Sequence, residues 1–237
     1  MSMATRDTAL HALVPVERLL RRAAPDDVAD LLDLRAALES TAGRTVTRGR
    51  AARFLGITQT SVDRWIADGA IPTVIDVDGR AMVPTRELVR LRVEMDEERA
   101  HGLQRPLGAV VRRRRAEAAA IPVGDLLPDD AAPWSGHRQA AVGDLVVHRL
   151  IERELEPLDI AIALWQLQHA RDEGRLDPRW YAAWTEVFDA GERAVRAALV
   201  EDTAHAASLR QTSPFKGLVA HEQRRRALEA LREARAS

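Results

Sequence analysis

The chain has 237 residues, 30% of them charged and 46% apolar, and a formal net charge of −1. That length suits one or two domains; no apolar run approaches the ~20 residues of a membrane span, and no apolar signal core precedes the first charges. Cysteine is absent, which excludes disulfides, thiolate metal sites and cysteine nucleophiles, and the expected location is cytoplasmic.

Lys216 is the only lysine. An arginine bias beside so much alanine reflects GC-rich coding and says nothing about nucleic acid. The placement of the charge matters more than its total.

In chain order, residues 1–42 read as an N-terminal helical segment. Pro25 and two aspartates mark a start, and Val28, Leu31, Leu32 and Leu38 follow at helical spacing. Residues 43–100 contain two short helices. The first is expected over 48–55, with Thr47 as cap, Ala51, Ala52 and Leu55 inward and Gly56 at its end. Ile57 fills the angle. Thr58 caps the second, which runs to about Ala67 with Val62, Trp65 and Ile66 inward. Two short helices at a steep angle bury little by themselves; the gain is presentation of the second helix to a DNA major groove. Its outward positions are Gln59, Thr60, Ser61, Asp63 and Arg64, with small hydroxyls and an amide at the N-terminal end.

"IPTVIDVDGRAMVP" then switches to Val and Ile around Asp78-Gly79, a hairpin pattern and the only strand pattern in the chain. Arg80 lies just past its turn. Helical periodicity resumes through Leu88, Leu91 and Met95, with Thr85 as the expected cap. From Arg44 to Arg92 there are nine arginines against five acidic residues, an excess of four in a chain of net −1.

The stretch "VTRGRAARFLGITQTSVDRWIADGAIPTVIDVDGRAMVPTREL" resembles the winged helix-turn-helix of excisionase and MerR-type regulators. The shared features are the "AAxxLGI" first helix, the "TxxSVxRWI" second helix, the "xGxIP" exit, a hairpin ending "xxVP" and a helix after it. The resemblance covers residues 45–92, about a fifth of the chain. It implies double-stranded DNA as a partner, with Arg48, Gln59, Thr60, Ser61, Arg64 and Arg80 as contact residues. Gln59 and Asp63 depart from the family, which often has a basic or aromatic residue there. The helix from Arg90 to Ala100 is too short for the coiled-coil dimer helix of a MerR-type protein.

Residues 101–140, punctuated by glycine and proline and holding Arg112 to Arg115, read as a linker with room for one short helix. The arginine run reads as a solvated stretch. Residues 141–237 read as a helical protein-interaction domain, with segments at "VGDLVVHRLIERELE", "PLDIAIALWQLQHARDEG" and one continuous run from Asp177 to Asp202, then a last helix at roughly 219–235. Trp165, Trp180, Trp184 and Phe188 are expected to build its core. Phe215 either anchors a loop into that bundle or hooks another protein. The pairs His148–Glu152 and Asp202–His205 have no third ligand nearby, so no metal site is expected. There is no phosphate loop and no nucleophile elbow; neither catalysis nor a cofactor is expected.

The expected architecture is mainly α: a winged helix-turn-helix with a small β-hairpin, a linker and a C-terminal helical bundle. The expected function is a sequence-specific DNA-binding transcriptional regulator that associates with a homodimer mate or a protein partner through residues 141–237. The alternative is an autoregulating antitoxin whose C-terminal domain binds a toxin. A phage-type excisionase and a DNA-targeted enzyme rank below these.

Overall fold

The computed structural model describes residues 2–127 and 137–236. The fold is mainly helical with a small three-stranded antiparallel sheet. The chain divides into two units, Met1–Arg114 and Arg115–Ser237.

In the first unit, α1 (Met3–Leu20) and α2 (Val28–Ala42) lead into β1 (Thr45–Val46), α3 (Arg48–Leu55) and α4 (Gln59–Ala67). Then come β2 (Val74–Ile75), β3 (Ala81–Pro84), α5 (Thr85–Ala100) and α6 (Pro106–Ala119), whose residues from Arg115 onward belong to the second unit. The Asp26-Asp27 pair lies in a short 3-10 turn before α2 rather than inside it. One core joins nearly all of these elements. Leu10 and Leu13 of α1, Leu55 of α3, Val62 of α4, Val83 of β3, Leu88 and Met95 of α5, and Leu107, Val110 and Val111 of α6 belong to it. Residues 1–42 are therefore packed with the helix pair and hairpin, not set apart from them.

The stretch read as a linker differs most from expectation. Pro106 opens α6 as its first residue, where a missing N–H costs nothing because that N–H has no helical acceptor. Gly102 takes φ 85°, which turns the chain between α5 and α6. The breakers thus flank a helix instead of dissolving it. Pro128, Pro133 and Gly136 of the same stretch lie outside the described residues.

The sheet order is β1-β3-β2. Thr45 pairs with Pro84 and Val46 with Val83, while Val74 pairs with Met82 and Ile75 with Ala81. β1 was not expected, since two residues show no alternation. Thr85 does not cap α5: Pro84 holds the cap position. The fully buried Thr85 hydroxyl instead donates to the Gly43 carbonyl at 2.5 Å, and its N–H donates to Arg44 O at 2.9 Å.

The second unit holds α7 (His137–Arg153), α8 (Pro157–Asp172), α9 (Pro178–Asp189), α10 (Glu192–Val200), α11 (Ala204–Gln211) and α12 (His221–Ala236). α7 packs against α10, α11 and α12. It is apolar on two faces: Val147 and Ile151, with Leu155 just after the helix, serve one core, and Val142, Val146 and Leu150 a second with Leu126, Ala227 and Leu231. The run from Asp177 to Asp202 is two helices, because Gly191 at φ 89° breaks it.

Trp184 and Phe215 are fully buried, and Phe215 lies 5.8 Å from both Trp184 and Phe188. The loop residue is thus an anchor of its own bundle. Trp165 does not join that core and stacks on His169 at 4.5 Å. Two arginines close helix ends: Arg196 donates to Glu152 O and Leu155 O after α7, and Arg210 to Ala198 O and Glu201 O after α10. No helix among the described residues is long and apolar enough to cross a membrane.

Candidate nucleic-acid interface

Local chemistry sets the α3–α4 pair. The Thr47 hydroxyl accepts from Arg50 N–H at 3.3 Å and the Thr58 hydroxyl from Ser61 N–H at 3.2 Å, so each helix starts on a threonine cap. Gly56 at φ 70° stops α3, and Ile57 N–H reaches back to Ala52 O at 3.0 Å. Gly69 at φ 72° repeats the device after α4, with Ala70 N–H on Trp65 O at 2.9 Å. Val62 is fully buried, and Ile57, Trp65 and Ile66 pack half-buried on the core. The opposite side of α4 is thereby held toward solvent.

The six sequence-selected residues differ in their surroundings. Thr60 is exposed on the first turn of α4. Ser61 is half-buried, and its hydroxyl shares a 2.9 Å hydrogen bond with Thr58 Oγ1, which ties it to the cap. Gln59 leans over α3: a Cβ built on Gly49 would lie 3.2 Å from Gln59 Oε1, close enough that the side chain would have to shift by a few tenths of an ångström. Arg48 pairs with Asp63 at 3.2 Å, both side chains 42% exposed. A pair that open to water contributes little and opens readily to a phosphate. Arg64 is exposed, with its guanidinium 5.2 Å from the Trp65 ring centroid.

Arg80 is exposed at the end of the hairpin turn. The turn is rigid: the Asp76 carboxylate accepts from Asp78 N–H at 2.9 Å and Arg80 N–H at 2.8 Å, and Gly79 adopts φ 76°. The same tip carries the exposed Asp78, and Val77 stands fully in solvent with Ile75 68% exposed. This hairpin is less cationic and more apolar than its Arg80 alone suggests.

The excess of four arginines between Arg44 and Arg92 is largely internal. Arg50 holds Asp7 at 2.6 Å and Ala42 O at 2.8 Å. Arg90 reaches Glu17 and Glu87, and Arg92 reaches Asp96 and Phe54 O. Arg86 turns inward with its Nε buried; burial, then the neighbouring Arg90 and Arg35, pull it down to about 9. Arg53, Arg64 and Arg80 are exposed and have no carboxylate partner among the described residues. Arg53 was not selected from the sequence; its outward phase on α3, opposite Ala52 and Leu55, is the signal that marks it.

No family model matches the chain, and neither a curated protein nor a solved structure matches it. Among the described residues no group of three or more His, Asp or Glu side chains could hold a metal ion.

Proposed function

We propose that the chain is a sequence-specific DNA-binding transcriptional regulator whose reader is a winged helix-turn-helix: α3 and α4 with the β2–β3 hairpin as wing. The carrying observation is the outward side of α4, where exposed Thr60 and exposed Arg64, which has no carboxylate partner among the described residues, stand on a helix fixed by caps at both ends. Arg64 and Arg53 supply phosphate contacts, and Thr60 reaches base edges. Gln59 contributes after swinging off Gly49, and Ser61 acts through the cap that orients the first turn. The second unit provides protein association.

Selection of random duplex DNA with the full chain tests this reading. The expected result is a consensus that Thr60→Ala alters, with discrimination changing by about 1–3 kcal/mol per base pair contacted. Recovery of no consensus, with equal affinity for unrelated duplexes, defeats it.

A further inference from the structure

The second unit carries two adjoining concavities that the reader does not use. The larger, about 500 Å³, has Ile121, Pro122 and Leu150 among its walls and Arg153 on its rim. The smaller, about 120 Å³, is a slot walled by Leu150, Ile151, Leu218 and Val219, with Glu154 and Asp159 among its lining. Leu150, Glu154 and Gln223 line both, so the two form one groove. The groove runs along a seam, since Val219 packs against both hydrophobic cores of this unit.

The slot's two carboxylates have no cation partner among the described residues. Asp159 Oδ2 accepts from Glu156 N–H at 3.0 Å, which is the cap of α8, and Glu154 Oε2 receives only a long 3.5 Å contact from Gln223. Burial holds the Asp159 carboxyl above its ordinary value, against the pull of its backbone bond. Arg153 lines the larger cavity but not the slot. Two carboxylates among the lining of an aliphatic slot match a lysine or arginine: the methylene stem lies on Leu and Val, and the head meets the carboxylates.

We propose that this groove docks a peptide segment of a partner protein that places a lysine or arginine in the slot and aliphatic residues on Ile121, Pro122 and Leu150. A small amine would fill the slot yet leave the larger apolar wall uncovered; a peptide covers both. The proposal rests on the second unit being the protein-association unit and is independent of DNA binding, so a failed DNA selection leaves it standing.

A phage-displayed random heptapeptide library panned on the full chain tests it. The expected yield is a lysine or arginine flanked by aliphatic residues. A synthetic peptide of that sequence should bind the Glu154→Gln/Asp159→Asn chain roughly tenfold to a hundredfold more weakly. Both changes keep the polar atoms that cap α8 and meet Gln223, and circular dichroism checks the fold. Methyl resonances of Ile151, Leu218 and Val219 should shift on adding the peptide. No enrichment, an acidic consensus, indifference to the double substitution or shifts confined to other methyls overturns the proposal. So does putrescine binding as tightly as the peptide, which assigns the slot to a small cation. A dimer in sedimentation that the double substitution dissolves assigns it to a second copy and overturns the foreign partner.

Discussion

Arg113 and Arg114 on α6 turn onto the buried Glu94, at 3.1 Å and 2.5 Å, and Arg113 also reaches Glu98 at 3.4 Å. Arg53 and Arg64 on α3 and α4 meet no carboxylate among the described residues. The run from Arg112 to Arg115 is the densest basic stretch in the chain, yet three of its four arginines meet carboxylates, Arg115 meeting Glu222, while Arg112 stays exposed. The sparser Arg53, Arg64 and Arg80 are exposed with no carboxylate partner among the described residues. Charge density along a sequence therefore does not rank binding surfaces; the carboxylates brought close by the fold do.

Removing α6 tests the structural side of that contrast most severely. A fragment of residues 1–100 lacks Leu107, Val110 and Val111, each contributing about 1.5–3 kcal/mol by burial, and takes Arg113 and Arg114 away from Glu94. It should unfold at room temperature, whereas residues 1–119 should melt cooperatively by circular dichroism. A cooperative 1–100 fragment would return α6 to linker status.

Glu94→Gln is the next step down. Glu94 is 9% exposed and also draws Arg21 to 3.6 Å. Leaving the half-buried Arg114 guanidinium without its carboxylate should cost about 1–3 kcal/mol in urea unfolding of the first unit, with the more exposed Arg21 and Arg113 adding little. DNA affinity of the folded variant should not change.

The second unit offers a pH version of the same contrast. Arg210 is buried and keeps its charge on the carbonyls that end α10, while His148, fully buried on α7, gives its charge up. Burial, with Lys216 and Arg210 nearby, takes His148 down to about 4 against the bond to Asp144 O and the Asp144 charge. The folded state resists a proton that the unfolded state accepts near pH 6.5. Stability from this group is thus complete above pH 6.5 and falls as pH drops from 6.5 to about 4, by about 3 kcal/mol. Denaturation midpoints of the wild type and His148→Phe across that range should diverge; parallel curves would discount the burial.

The smallest effects belong to the exposed arginines. Arg64→Ala and Arg80→Ala should each weaken DNA binding and lower the salt slope by about one, with melting unchanged. Arg113→Ala should do the reverse. The Asp78 beside Arg80 makes Arg80 the more precarious assignment of the two.

The legible parts of the fold are those whose causes are local. α3 and α4 could be bounded in the sequence because Thr47, Gly56, Thr58 and Gly69 act on backbone within five residues of themselves. The hairpin was visible through Asp78-Gly79 for the same reason. What escaped depends on distant partners. β1 exists because of β3, Thr85 answers to Gly43, and the arginine run answers to Glu94. α6 escaped because proline at a first helical position has the same letter as proline in a linker. In the candidate interface, Thr60 and Arg64 were readable from helical phase, whereas the capture of Ser61 by Thr58 and of Arg48 by Asp63 required side-chain geometry.

The Thr85 contacts make residues 43–85 leave and return at a single point. Gly43 and Thr85 are joined by one hydrogen bond, and the next is Arg44 O on the Thr85 amide. The ends of the segment meet, yet Leu55, Val62 and Val83 between them share one core with Leu10, Leu13, Leu88 and Leu107, so any transplant of residues 43–85 must carry α1, α5 and α6 with it.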